Sequence, residues 1–105
     1  MYNGRYFSTI SNNGGGISYY KSPLHGRITR YRINEVPSDR PGKYIYIKDK
    51  ETGETWSLTW QPMGKHLDKY KLAHGFGYTR SEASIHDIQS EVLFFVPQDA
   101  NQEVW

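Results

Sequence analysis

The sequence predicts an all-β fold, an antiparallel β-sandwich that is incomplete as it stands. Apolar and aromatic residues recur at every second position, which places one set of side chains on each face of a sheet. Aromatic residues make up 15% of the chain, and Gly and Pro interrupt every candidate helix. No segment of about 11 residues keeps the 3.6-residue period of an amphipathic helix. We therefore expect short strands joined by turns.

The first predicted element is a hairpin. Residues 6–11 and 16–21 have strand character, and Asn12-Asn13-Gly14-Gly15 between them has the composition of a turn. Gly14-Gly15-Gly16 also resembles a phosphate-binding loop, but the Lys-Ser/Thr ending and the following helix of such a loop are missing. The glycine-rich turn is therefore the favoured interpretation.

Residues 27–32, Arg-Ile-Thr-Arg-Tyr-Arg, are the next strand candidate. Alternation places Arg30 and Arg32 on one face and Tyr31 on the other. Basic residues spaced by two form either an anion-reading edge or a salt-bridge ladder. The formal net charge is only +2 and no further basic cluster is present, so a salt-bridge or domain contact is favoured over nucleic-acid binding.

Residues 43–49 give the strongest strand signal, with Ile45 and Ile47 directed to a core and the intervening Tyr and Lys residues directed outward. Gly53 in the following turn supplies the positive φ of a tight hairpin into residues 55–58. A glycosidase-like pair of acids would need two carboxylates facing one cleft. The nearby acids lie in turns instead: Asp39, Asp49, Glu51 and Glu54.

Residues 77–85 and 88–96 predict a long hairpin with His86-Asp87 as its turn. Pro97 ends the second strand because proline has no N–H to donate to the neighbouring strand. Residues 101–105 resemble the opening of another strand after a turn at Asp99-Ala100. The strand stops before it could finish. We therefore expect Trp105 to be a fragment boundary.

The sequence offers no complete catalytic or metal site. No pair of its four histidines has the spacing of metal ligands on one regular element: His25, His66, His74 and His86. No Gly-x-Ser-x-Gly signature places a nucleophile beside a base. The absence of Cys excludes disulfides and thiol chemistry, and it fits a cytoplasmic location. No apolar run approaches the roughly 20 residues of a membrane span. We expect no cofactor, no nucleic-acid partner and no membrane partner.

Two tryptophans are candidates for contact with a ligand. Trp56, and Trp60 where Trp60-Gln61-Pro62 enters a loop, could each stack on the apolar face of a sugar ring. Core packing of at least one of them is the favoured alternative.

Several motifs in order resemble a known family. The series resembles the N-terminal β-sandwich region of the cellobiose, cellodextrin and chitobiose phosphorylases, which are inverting glycoside phosphorylases, and related domains of cyclic β-1,2-glucan synthases. The resemblance runs from about Tyr6 to Trp105. It rests on the order of these segments: residues 14–21, 27–32, 37–42, 44–49, 53–57, 60–62 and 74–79.

The resemblance implies a parent enzyme, a glycosyltransferase by reaction, that cleaves a terminal β-glucosidic bond with inorganic phosphate to give an α-sugar 1-phosphate. It also implies that the general-acid Asp belongs to a helical (α/α)6 barrel downstream, which this all-β chain does not contain. The sandwich is then expected to pack against that barrel and to contribute to a homodimer. Candidate residues for carbohydrate or domain contact are Arg30, Arg32, Asp39, Arg40, Trp56, Trp60 and His74.

Three functions stay open at this point. The first is a non-catalytic segment of a β-glucoside phosphorylase. The second is a free-standing carbohydrate-binding module that recognises β-linked glucosides. The third is a protein-interaction sandwich that pairs through an open sheet edge.

Overall fold

The computed structural model describes residues 1–30 and 41–105, and within these ranges the chain contains antiparallel strands and no helix. The all-β prediction is confirmed. Arg32, Asp39 and Arg40, three of the candidate residues, lie outside the described residues. Seven strands form two two-stranded sheets and one three-stranded sheet: β1 Tyr6–Ser8, β2 Ser18–Tyr20, β3 Tyr46–Lys48, β4 Thr55–Ser57, β5 Lys69–Gly75, β6 Tyr78–Ile85 and β7 Ile88–Phe95.

The predicted first hairpin is confirmed, with β1 paired to β2 in a register that places Tyr6 opposite Tyr20. Its strands are shorter than predicted because the connection folds back on the rest of the molecule. Gly14 has a φ of +86°, and a Cβ there would lie 2.5 Å from Thr59 Oγ1. The glycine is therefore needed for a close approach between this turn and the segment after β4, and no anion-binding helix follows it.

The second predicted hairpin is also confirmed, with Ile47 of β3 opposite Trp56 of β4. The Asp49 carboxylate organises its turn by accepting hydrogen bonds from the Glu51 N–H at 2.8 Å and the Thr52 hydroxyl at 2.7 Å. Gly53 has the expected positive φ, at +76°. Asp49, Glu51 and Glu54 thus belong to a turn, as the sequence predicted.

The three-stranded sheet contains the predicted long hairpin and one strand that the sequence analysis missed. β6 and β7 pair over their full lengths, and His86 and Asp87 between them have φ values of +50° and +62°. The missed strand is β5, which pairs with β6 from Lys69 to Gly75. It lacks β-branched residues, so its composition gave a weak strand signal although its burial alternates.

The strand predicted over residues 27–32 is wrong for its described part, residues 27–30. Arg27 forms only an isolated bridge with Tyr19. The Ser18 N–H donates to the Thr29 hydroxyl at 2.8 Å, while the Ser18 carbonyl accepts from the N–H groups of both Ile28 and Thr29. The Thr29 side chain thus replaces the backbone carbonyl that a paired strand would offer to the Ser18 N–H, and regular strand pairing ends there. Arg30 beyond it is exposed.

The core lies between the β3–β4 hairpin and the inner face of the three-stranded sheet. Trp56 is its largest side chain, with 1% of its surface exposed, and it clusters with Phe94 of β7. Ile45 and Ile47 pack against this cluster, as alternation predicted. The Ser81 hydroxyl of β6 donates to the Leu58 carbonyl at 3.0 Å and ties the two layers together. The remaining core residues are Leu58, Leu67, Ala83, Ile85 and Val92.

Candidate functional site

Two of the candidate residues, Trp60 and His74, lie on either side of the turn that links β1 and β2. We call this region the His74 surface and define it by Asn12, Trp60, Tyr70, His74 and Thr79. Alternation along β5 directs Tyr70 and His74 to the same face of the strand, toward that turn. The surface therefore arises from the one strand that the sequence analysis did not predict.

Hydrogen bonds hold the turn against its neighbours. The Tyr70 hydroxyl donates to the Asn12 carbonyl at 2.7 Å. On the other side, the Gln61 N–H donates to the Asn13 carbonyl at 3.0 Å, which fixes the loop that carries Trp60. Burial raises the pKa of Tyr70, so its phenol remains a neutral donor. These hydrogen bonds hold the turn, β5 and the Trp60 loop in a fixed arrangement.

The imidazole of His74 has partners on both nitrogens. Nδ1 lies 3.0 Å from Thr79 Oγ1, and Nε2 lies 3.2 Å from Asn12 Oδ1. An amide oxygen only accepts, so in the neutral imidazole Nε2 donates to Asn12 and Nδ1 accepts from the Thr79 hydroxyl. Both nitrogens of His74 are thereby engaged, and Thr79 has only 3% of its surface exposed. This arrangement holds the turn against β5 and leaves no free ring nitrogen for acid–base catalysis.

A shallow depression adjoins His74. It has a volume of about 250 Å³, and its lining includes Ser8, Thr9, His74 and Thr79. The Ser8 hydroxyl is fully buried and has no hydrogen-bond partner among the described residues. Trp60, with 40% of its surface exposed, lies beyond the Asn12 turn. The region combines one available aromatic side chain with several hydroxyl and amide groups.

Trp56 does not belong to any surface. Its side chain is buried in the core, so the indole presents no face to a sugar or to a neighbouring domain. The surface role considered for Trp56 is replaced by a packing role. The favoured expectation, that at least one of Trp56 and Trp60 packs in the core, is correct.

A buried ionic cluster under the β1–β2 sheet is the largest feature that sequence reasoning missed. Lys43 Nζ is fully buried, donates to the Thr9 carbonyl at 2.8 Å and lies 3.6 Å from Glu103 Oε2. The same carboxylate oxygen accepts from the Ser18 hydroxyl at 2.8 Å. One signal could have revealed it, because Lys43 has the same strand parity as the core residues Ile45 and Ile47.

The cluster alters the ionisation of its members. Burial lowers the pKa of Lys43, and the attraction of Glu103 opposes that shift. Burial also raises the pKa of Tyr6, and the Glu103 charge adds to the rise. These contacts link the β1–β2 hairpin to the segments that carry Lys43 and Glu103. We therefore assign the cluster to structure.

No group of three His, Cys, Asp or Glu side chains within residues 1–30 and 41–105 could hold a metal ion. In the same part of the chain, no helix is long and apolar enough to cross a membrane.

Comparison with known proteins identifies relatives along the entire chain. The supersandwich domain of glycosyl hydrolase 94 matches residues 1–105. N,N'-diacetylchitobiose phosphorylase of Vibrio furnissii is 41% identical over 103 residues, and the match covers 96% of this chain and 13% of the relative. The corresponding enzyme of Vibrio proteolyticus is 38% identical over 103 residues, with the same coverage.

A more distant relative acts on a different disaccharide, as its name indicates. Solabiose phosphorylase of Paenibacillus borealis is 34% identical over 106 residues, covering 100% of this chain and 14% of the relative. The chain therefore spans about one seventh of the length of these curated relatives.

Proposed function

The chain belongs to the glycosyl hydrolase 94 supersandwich domain family, and from this premise we propose that it is a non-catalytic N-terminal segment of a β-glucoside phosphorylase. The parent reaction would be phosphorolysis of a β-linked disaccharide or oligosaccharide to an α-sugar 1-phosphate with inversion. The proposal rests on one observation. Residues 1–105 match the supersandwich domain, and the region that aligns with this chain forms 13% of the length of each of two chitobiose phosphorylases.

The chemistry of the described residues supports a non-catalytic role. His74 has both ring nitrogens engaged, Asp49 is committed to turn hydrogen bonds and Glu54 to ion pairs. In this proposal the general acid belongs to a helical barrel elsewhere in the parent. Inorganic phosphate is the parent's co-substrate, no cofactor is needed, and the enzyme works in the cytoplasm.

The segment would serve domain packing and dimer contacts through the outer face of the three-stranded sheet. Tyr78 and Leu93 are each 44% exposed, and Phe76 at the β5–β6 turn is fully exposed. Arg80 lies opposite Leu93 in the register and pairs with Glu91 at 2.6 Å. The outer face of the sheet thus has an apolar part beside an ionic part, which is a typical composition for a surface that docks on another protein region.

A chimera tests this proposal. The 103 matching residues of the Vibrio furnissii N,N'-diacetylchitobiose phosphorylase are replaced by the aligned part of this chain. We expect the chimera to release sugar 1-phosphate from N,N'-diacetylchitobiose and phosphate, whereas an enzyme lacking the segment should be inactive or insoluble. An inactive chimera that folds would contradict the packing role.

The isolated chain supplies the complementary test. Incubated with cellobiose or N,N'-diacetylchitobiose and phosphate, it should release no sugar 1-phosphate. Release by the purified chain, removed by Trp60→Ala or His74→Ala, would overturn the non-catalytic assignment.

The second candidate function is a free-standing carbohydrate-binding module. The exposed Trp60 beside the polar groups of the His74 surface favours it. Calorimetric titration of the chain with cello-oligosaccharides separates the two functions. A module of this kind should give saturable heat that Trp60→Ala removes, while a packing segment should give none at this surface.

The third candidate, a protein-interaction sandwich, is favoured by the same outer face. Light scattering should then show concentration-dependent association of the isolated chain, and Leu93→Lys should reduce it.

A further inference from the structure

The side chain of Asn3 uses its full capacity for hydrogen bonds. Its Nδ2 donates to the carbonyls of Pro97 and Ala100, both at 2.8 Å. Its Oδ1 accepts from the backbone N–H groups of Arg5 at 3.1 Å and Tyr6 at 2.8 Å. An amide has two N–H donors and one oxygen with two lone pairs, so this set of partners uses all of them. The side chain thereby joins the turn before β1 to the segment that follows β7.

This position requires an amide. Aspartate would keep the acceptor for the N–H groups of Arg5 and Tyr6, but it has no N–H to donate at neutral pH. Its second oxygen would face the carbonyl oxygens of Pro97 and Ala100 in a partly buried place, where acceptors that face each other stay unsatisfied and repel. A reaction that converts the amide to a carboxylate would therefore break the connection between the two segments.

The residue after Asn3 is glycine, and this pair makes such a reaction possible. The backbone nitrogen that follows an asparagine can attack Cγ of the asparagine, and glycine obstructs the attack least because it has no Cβ. Gly4 is exposed, and no atom lies within 4 Å of the place that a Cβ would occupy. Within the described part of the chain, the Gly4 N–H donates no backbone hydrogen bond. The attacking nitrogen is thus unobstructed.

The hydrogen bonds of Asn3 also arrange the amide for this attack. Because Oδ1 accepts from N–H groups two and three residues ahead, the side chain folds back over the Gly4 peptide and brings Cγ towards the Gly4 nitrogen. Negative charge develops on Oδ1 during the attack, and two N–H groups already donate to that oxygen. The carbonyls that accept from Nδ2 hold the nitrogen that leaves as ammonia.

We propose that Asn3 is a modification site, at which the amide converts to aspartate or isoaspartate with water as the co-reactant. The Gly4 nitrogen forms a bond to Asn3 Cγ, the Cγ–Nδ2 bond breaks, and ammonia leaves with the proton that the Gly4 nitrogen gives up. Water then opens the cyclic imide at one of its two C–N bonds. Either product releases residues 97–100 from the turn before β1. This inference does not rest on the function proposed above.

A second Asn-Gly pair in the same chain does not meet these conditions. The Gly14 N–H donates to the Ser11 carbonyl at 2.9 Å, so the nitrogen that would attack Asn13 is committed. Gly14 is buried, and a Cβ there would lie 2.5 Å from Thr59 Oγ1, so little room remains for a ring to form. We therefore expect the fold to protect Asn13, which makes it the internal control for Asn3.

Incubation of the folded 105-residue chain at mildly alkaline pH tests the site, with the conversion at each Asn-Gly pair measured by peptide mass spectrometry. Asn3 should convert several times faster than Asn13. In urea the two rates should become similar, because the local sequence is then the same and the fold is lost. Retention of the Asn3 amide in the folded chain, or equal conversion of Asn3 and Asn13 there, would overturn the proposal.

Amide hydrogen exchange tests the consequence. Exchange at residues 98–104 should become several times faster in Asn3→Asp and in the converted fraction of the unaltered chain. Asn101→Asp adds the same charge at an exposed position of this segment and is the matched control, which should exchange like the unaltered chain. If Asn3→Asp does not fold, the converted chain decides, since it forms from folded protein. Unchanged exchange in the converted chain would contradict the release of residues 97–100.

Discussion

At the scale of single residues, Lys43 is expected to have a large effect on stability. Its ammonium group is fully buried against the Thr9 carbonyl and Glu103. Lys43→Met would leave Glu103 largely buried without its cation, so we expect the free energy of unfolding to fall by about 3–5 kcal/mol. Urea unfolding measures the loss.

Two further variants separate the ion pair from simple packing. Lys43→Met combined with Glu103→Gln should recover much of the stability, because no uncompensated charge remains. Lys69→Met removes an exposed ion pair with Glu82 and should change stability little. Equal losses for Lys43→Met and Lys69→Met would show that the buried pair has no special role.

Tyr6 makes a pH-dependent contribution beside this pair. Its pKa is raised above 10.0, first by burial and then by the Glu103 charge. A raised pKa favours the neutral phenol in the folded state, so this stability is fully present below about pH 10 and is lost as pH rises through the folded pKa. Tyr6→Phe has no group to ionise.

We therefore expect Tyr6→Phe to be less stable than the unaltered chain near neutral pH, because a hydrogen bond to Ser18 is lost. The difference should shrink as pH rises from about 8 to 11. Urea unfolding of both proteins across this range is the measurement. A difference in unfolding free energy that stays constant with pH would mean that Tyr6 has the same pKa in the folded and unfolded states.

At the scale of elements, substitutions in two hairpin turns are expected to have opposite effects on stability. Asp87 has a φ of +62° and Gly53 a φ of +76°. Asp87→Gly should stabilise the fold by about 0.5–1 kcal/mol, because glycine adopts the left-handed region without strain. Gly53→Ala should destabilise it by about 1 kcal/mol, although a Cβ at Gly53 meets no atom within 4 Å.

Thermal unfolding of both variants checks this pair of effects. Since the space around Gly53 is open, any loss there reports backbone conformation and not a clash. A neutral Gly53→Ala would indicate that the turn changes its φ at no cost.

The same elements show why sequence reasoning succeeded in some places and failed in others. Alternation and turn residues were sufficient to predict the β3–β4 and β6–β7 hairpins. Residues such as Ile45, Ile47 and Gly53 act through side-chain direction and local backbone conformation, which the sequence shows directly. β5 was missed because its strand character depends on pairing with β6, a tertiary partner. The interruption at Ser18 was invisible because it depends on the Thr29 hydroxyl, which replaces a backbone group.

The candidate site was predictable only in part. Trp60 and His74 were chosen as single residues, but the turn between β1 and β2 connects them, with Asn12 bonded to His74 and Asn13 bonded to Gln61 beside Trp60. No sequence pattern links positions that far apart.

At the scale of the whole molecule, the core is small and depends on one large side chain. Trp56 is the centre of a buried cluster between the two layers. Trp56→Ala should cost about 3–5 kcal/mol, a large part of the 5–15 kcal/mol that typically stabilises a domain. We expect the cooperative urea transition to weaken severely or disappear.

Trp60→Ala is the matched control, because it removes the same side chain from an exposed position. Its unfolding midpoint should stay close to that of the unaltered chain. If both variants unfolded alike, the assignment of Trp56 to the core and Trp60 to the surface would be wrong.

The position of β6 has a consequence for motion. It is the central strand of the three-stranded sheet and is paired with β5 along one edge and with β7 along the other. Successive backbone N–H groups of β6 point alternately to the two neighbouring strands, so each amide exchanges with solvent when the one ladder that it joins opens. The exchange rates of alternate amides along β6 therefore report the opening of the two ladders separately.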